Sequence, residues 1–174
     1  MFPAPPVIET TIFARLPDSL RARANPRQQS GVPRDSFLEG PSFDRAGNLY
    51  VVNIPYGQVL RVSPQGEFAV VAEWDGEPNG LKIHKDGRIF IADHKQGLML
   101  LDPASGKVEV YLDRPRRERF KGLNDLVFAR NGDLYSPTRA RPICVTRPGG
   151  CFGCARTVRS TSCSATCRAR TGWC

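Results

Sequence analysis

The chain has 174 residues, 40% of them hydrophobic, and a formal charge of +8, which is enough for one domain with a packed core. No apolar run approaches the roughly 20 residues needed to cross a bilayer. The positive charge is local: residues up to Tyr135 hold 18 Lys plus Arg against 17 Asp plus Glu, whereas Ser136 to Cys174 hold seven Arg and no Lys, Asp or Glu. Neither a membrane nor a nucleic acid is therefore an expected partner, because the basic excess sits in a segment with too few aliphatic residues to build a core.

The first 35 residues read as an approach segment. "MFPAPPVIETTIFARLPDSLR" lacks a charged start followed by an apolar stretch, so no secretory signal is expected and a cytoplasmic location is. "RARANPRQQSGVPRDS" reads as exposed and punctuated by proline.

A repeat follows over residues 36–135. "FDRAGNLYVVN" from Phe43, "IHKDGRIFIAD" from Ile83 and "FARNGDLYSPT" from Phe128 share one phrase, with Gly47, Gly87 and Gly132 in register 40 and 45 residues apart. Each phrase predicts a strand, a tight turn whose glycine takes positive φ, and a second strand with alternating apolar residues. "GQVLRVSPQGEFAVVAEW" and "GLMLLDPASGKVEVYLD" predict a further hairpin after each of the first two phrases. Four strands per period of about 40 residues is the pattern of a β-propeller blade. A β-sandwich also recurs in short strands, but it does not return the same four-strand phrase. The fold class is accordingly all-β: about two and a half blades of a propeller. The run "DRPRRERFKG" between the second hairpin and the third phrase reads as a solvated loop, since Asp113 and Glu118 interrupt its charge.

Ligands at the mouth of such a fold come from loops entering the innermost strands. "SFLEGPSFD" brings Glu39, "GEPNGLKIH" brings Glu77 and Asn79, and "FKGLNDLVF" brings Asn124 and Asp125. A carboxylate and several amides near one axis suit a hard cation, although Asn and Asp are also ordinary turn residues.

"LEGPSFDRAGNLYVVN", "PNGLKIHKDGRIFIADHKQGLM" and "GLNDLVFARNGDLY" together resemble the gluconolactonase and senescence-marker-protein (regucalcin) family. The resemblance runs from about Val7 to Tyr135. It implies a six-bladed propeller that hydrolyses a lactone with one divalent cation, calcium or alternatively zinc. On the matching phrases, Glu39 is the implied metal ligand. Asn124 lies beside the metal and contacts metal or substrate, and Asn79 faces the substrate. The implied chemistry is Lewis-acid polarisation of the lactone carbonyl while water attacks. Asp125, next to Asn124, is one candidate base. His94 in "IADHKQG" is the other, on its likeness to a His of the more distant paraoxonases; a polar residue ending a strand is the plainer account of it. His84 is expected to be solvated. The family's two later ligand loops have no counterpart after Tyr135.

All six cysteines lie in residues 136–174. Cys151-x-x-Cys154 with Cys163 and Cys167 could close a zinc site, and six cysteines allow 15 disulfide pairings. A third reading accounts for more: the segment has the composition of a GC-rich gene translated out of frame. One allowed spelling of "SPTRARP" is TCA CCG ACC AGG GCC AGA CC, and a T restored before it reads F-T-D-Q-G-Q-T. Continued with permitted third bases, the restored frame recovers acidic residues, a hairpin phrase and S-P-N-G-L-V, which echoes "EPNGLK" of the second repeat. The expectation is thus an unstructured tail on a partial propeller, an inactive and poorly folded product of a lactonase gene. The alternative is a non-enzymatic module whose Cys-rich basic tail binds zinc or nucleic acid.

Overall fold

The computed structural model describes residues 6–21, 35–114, 119–120, 122–136 and 143–145. Eleven strands are described: β1 Leu38–Phe43, β2 Leu49–Asn53, β3 Gln58–Val62, β4 Phe68–Glu73, β5 Pro78–Ile83, β6 Ile89–Asp93, β7 Gly97–Asp102, β8 Lys107–Leu112, β9 Val127–Phe128, β10 Leu134–Ser136 and β11 Ile143–Val145. They form two four-stranded sheets, β1-β2-β3-β4 and β5-β6-β7-β8, and a three-stranded sheet β9-β10-β11. Every described pairing is antiparallel between neighbours in sequence. The blade phrasing read from the repeats is therefore realised strand for strand. Gly47, Gly87 and Gly132, at φ of 83°, 92° and 87°, occupy the left-handed turn positions that the hairpins demand.

Ile143–Val145 lies within the segment expected to be unstructured, yet its backbone pairs with β10, Val145 opposite Leu134 and Ile143 opposite Ser136. An unpaired β10 edge offers a row of N–H and C=O groups, and an extended stretch that includes the β-branched Ile143 and Val145 is suited to fill it.

The core lies between sheets. Tyr50, Val52 and Val59 of the first sheet and Leu81, Ile89, Ile91, Met99 and Leu101 of the second interdigitate in one cluster. Phe90, Ala92 and Leu98 of the second sheet meet Leu123 and Leu126, which lead into β9, and Leu134 of the third sheet in another. Strand β6 supplies both, since alternation sends Ile89 and Ile91 one way and Phe90 and Ala92 the other. All five of its residues are buried. Each fully buried aliphatic or aromatic side chain here contributes about 1.5–3 kcal/mol, so the second sheet is the element on which the other two depend.

Candidate functional site

Glu39, Asn79 and Asn124 each stand eight residues before the turn glycine of their hairpin. This common register, on β1, on β5 and just before β9, brings them together. Glu39, Gly40 and Pro41 from β1, Asn79 and Lys82 from β5, and Asn124 and Asp125 just before β9 line one cleft of about 90 Å³.

Two local features make the convergence possible. The β1–β2 register slips between Glu39 and Ser42, and the β5–β6 register slips between Pro78 and Gly80. Asn79 is thereby left out of the ladder, and such bulges re-aim side chains. The sheets also touch through glycines. A Cβ on Gly40, whose φ is 61°, would fall 2.4 Å from the Leu81 nitrogen, and one on Gly80 would fall 2.6 Å from the Asp125 Cα. No other residue allows this approach, which the Ser42 hydroxyl reinforces by donating to the Leu81 carbonyl at 3.0 Å.

Asp125 faces the cleft. Its Oδ1 accepts the Leu126 N–H at 2.7 Å and lies 3.9 Å from Lys82 Nζ. That is a through-space pairing rather than a hydrogen bond, and it is weakened by solvent because the Asp125 side chain is 57% exposed. The Asp125 carbonyl accepts from the buried Ser136 hydroxyl at 2.6 Å.

His94 is not among the residues lining the cleft. It is exposed, its backbone N–H donates to the Glu77 carbonyl at 2.9 Å, and its ring lies against Gly122, where a Cβ would meet Cε1 at 2.5 Å. His84, expected to be solvated, is instead packed between sheets. Its side chain is 10% exposed, its ring centroid is 4.9 Å from that of Phe128, and its Nδ1 lies 2.7 Å from Asp86 Oδ1. The apolar neighbours across the sheet interface, invisible from the hairpin phrase alone, explain the difference. Hydrogen bonding by Arg88 holds the Asp86 carboxyl well below the usual carboxylate range against the opposing effect of burial, and the adjacent His84 ring acts in the same direction.

Lys82 did not emerge from the sequence reading. The available signal was a lysine inside an otherwise apolar innermost strand, "PNGLKI". Asn53 and Asp93, both fully buried, were also missed, although a polar residue closes the second strand in both "LYVVN" and "IFIAD".

Among the described residues, no three His, Cys, Asp or Glu side chains gather as a metal cluster. The cleft offers the carboxylates of Glu39 and Asp125 and the amides of Asn79 and Asn124. These are hard oxygens, the type calcium takes; no imidazole or thiolate stands with them, so the set fits calcium better than zinc. The cysteines expected in a zinc or disulfide arrangement lie outside the described residues, apart from the backbone of Cys144 in β11. Among the described residues no helix is long and apolar enough to cross a membrane.

The family model described as "SMP-30/Gluconolactonase/LRE-like region" matches residues 37–157 and so continues past Tyr135. A gluconolactonase of Zymomonas mobilis is 29% identical over 114 residues, 57% of this chain and 32% of its own length. Lactonase drp35 of Staphylococcus aureus is 38% identical over 105 residues, 56% of this chain and 32% of its own length. The chain thus spans about a third of the length of these curated relatives. The solved structure of a gluconolactonase from Xanthomonas campestris superposes with a TM-score of 0.57 at 19% identity, over 65% of this chain and 44% of that one. A streptogramin B lyase structure gives 0.54 at 17% identity, over 67% and 39%. At such identities these two structures speak for the propeller fold alone.

Proposed function

The chain belongs to the SMP-30/Gluconolactonase/LRE-like family, and from that premise we propose that its cleft is part of the cation-assisted reaction centre of a cytoplasmic lactonase acting on a sugar lactone or related cyclic ester. One observation carries the reading: Glu39 of β1, Asn79 of β5 and Asn124 of the approach to β9, at equal register, line a single cleft with Asp125.

In this reading Glu39 and the amide oxygen of Asn124 hold one divalent cation, calcium in the first place and zinc in the second. A bound cation supplies the Lewis-acid pull on the lactone carbonyl. The chain's own groups orient the substrate and move the proton. The Asn79 amide donates to oxygens of the sugar ring, and Asn124 borders both cation and substrate. Asp125 accepts a proton from the attacking water at Oδ2, because Oδ1 already accepts the Leu126 N–H. His94 is the second candidate base; its ring lies outside the cleft over Gly122, which makes Asp125 the first choice.

For the 174-residue chain itself we propose little or no turnover. In this reading only Glu39 and Asn124 of the cleft ligate the cation, so most of the six to eight oxygens that calcium takes are left to water. Residues 136–174, with no acidic side chain, are read as translated out of frame. Resequencing the DNA from the codons for Leu134 to Thr138 onward tests the frame: one further base there, or a neighbouring frame that continues through S-P-N-G-L-V and further blade phrases, supports it, and a neighbouring frame without those phrases overturns it. Calorimetric titration with calcium, together with a gluconolactone assay, tests the site. Weak calcium binding that disappears in Glu39→Gln, without turnover, is the expected result. Calcium-dependent turnover by the intact chain would refute the proposed inactivity, and calcium binding that survives Glu39→Gln would refute the assigned ligand.

A further inference from the structure

We infer that Asn53 and Asp93, two buried residues outside the cleft, are positioning residues that clamp the backbone entering it, each two residues before a cleft side chain. The inference rests on the proposed reading only for calling Glu39 and Asn79 functional.

Both residues close the second strand of their sheet, six positions after the turn glycines Gly47 and Gly87, and both are 0% exposed. Asn53 Oδ1 accepts the Phe37 N–H at 3.2 Å, and the next residue, Ile54, donates its N–H to the Phe37 carbonyl at 3.0 Å. Asp93 Oδ2 accepts the Glu77 N–H at 3.0 Å, and the next residue, His94, donates its N–H to the Glu77 carbonyl at 2.9 Å. In each case both polar backbone groups are pinned, at Phe37 two residues before Glu39 and at Glu77 two residues before Asn79. Two sheets thus repeat one two-point clamp.

The difference between Asn and Asp follows from the neighbours. Asn53 also donates from Nδ2 to Ser36 Oγ at 3.3 Å and to Gln58 Oε1 at 3.2 Å, so its surroundings require an acceptor and a donor. Asp93 meets donors only: Trp74 Nε1 at 3.0 Å and Glu77 N on Oδ2, and the N–H groups of Lys95 and Gln96, each at 2.8 Å, on Oδ1. An amide at position 93 would turn an NH₂ toward two of those donors, and buried polar groups left unmatched are costly. Because the bulges at Glu39/Ser42 and Pro78/Gly80 interrupt the ladders nearby, the clamps replace ladder bonds where the backbone most needs holding.

Residue-resolved amide exchange on the full chain, requiring neither lactone nor cation, separates failure of this inference from failure of the lactonase reading. In Asn53→Ala, exchange at residues 37–39 is expected to accelerate about tenfold, the effect of one lost hydrogen bond, with residues 77–79 unchanged. Asp93→Asn is expected to do the reverse. Ser36→Ala removes one partner of Nδ2 but leaves Asn53 Oδ1 on the Phe37 N–H, and should keep exchange there within about threefold of the unaltered chain. Unchanged exchange at both segments in Asn53→Ala and Asp93→Asn, uniform acceleration throughout both sheets, or Ser36→Ala behaving like Asn53→Ala would overturn the inference. Should Asp93→Asn fail to fold, Asn53→Ala and Ser36→Ala decide it.

Discussion

The two interfaces of the second sheet differ in kind. Toward the first sheet it packs aliphatic side chains, Leu81, Ile89, Ile91, Met99 and Leu101, against Tyr50, Val52 and Val59. Toward the third sheet it offers an aromatic group. Phe90 lies 5.2 Å from Tyr111 and 5.4 Å from Phe128 in edge-to-face contacts, and His84 stacks obliquely on Phe128. Arg88 lies over the Phe90 ring at 5.5 Å and ties Asp86 through Nε and Nη2. One period-2 strand can therefore serve a dry interface and a charged-rimmed one at once, and only the second should respond to pH.

The largest expected effects come from β6 itself. Phe90→Ala should cost about 3–5 kcal/mol and Ile91→Ala about 2–5 kcal/mol in urea unfolding. The comparison sharpens if amide exchange shows Phe90→Ala loosening β10 while sparing β2, and Ile91→Ala the converse. Equal loosening of both would dissolve it into a single cooperative core.

Gly80→Ala should come next, at about 1–3 kcal/mol by overpacking, because its Cβ would fall 2.7 Å from Asp125 Oδ1 as well as against the Asp125 backbone. It should also part Asn79 from Asp125, so calcium binding at the cleft should weaken more than stability does. A variant of unchanged stability and unchanged calcium affinity would show that the close approach is not required.

Ser136→Ala removes the hydroxyl that donates to the Asp125 carbonyl and should cost about 1 kcal/mol. The loss should be confined to the third sheet, with β2 and β3 exchanging as before.

The smallest effect is electrostatic. The unfolded Asp86 carboxyl titrates near about 3.9, and its folded value is lower because Arg88 and then His84 stabilise the charged form. The folded state therefore gains stability above that unfolded value and loses it as pH falls through about 4 and below. With a side chain 42% exposed, the gain should amount to about 0.5 kcal/mol after solvent screening. Asp86→Asn should flatten that part of the stability curve below pH ~4 and leave Ile91→Ala additive with it; a curve that keeps its slope would assign the acid sensitivity elsewhere.

Much of the arrangement was readable before the structure. Phrases such as "FDRAGNLYVVN" carry hairpin turns and strand alternation locally, so β1, β2, β5, β6, β9 and β10 follow from them. Glu39, Asn79, Asn124 and Asp125 were legible as loop oxygens, and all four line the cleft. Lys82 was not, because a lysine in an apolar strand gives no hint of which neighbour its ammonium meets. His84 misled because its environment is made by Phe90 and by Phe128 from the next sheet.

The chain's own order of residues was sufficient for whatever depends on near neighbours: turn glycines, the alternation of β6, the register of Glu39, Asn79 and Asn124, and the abrupt change of composition after Tyr135. Contacts between sheets decided the rest. That Gly40 and Gly80 are points of touch, that β11 joins β10, and that Asn53 and Asp93 turn inward to hold Phe37 and Glu77 are matters of which atoms meet. A buried donor requires an acceptor wherever the fold brings one within reach, and no local pattern states how far along the chain that partner lies.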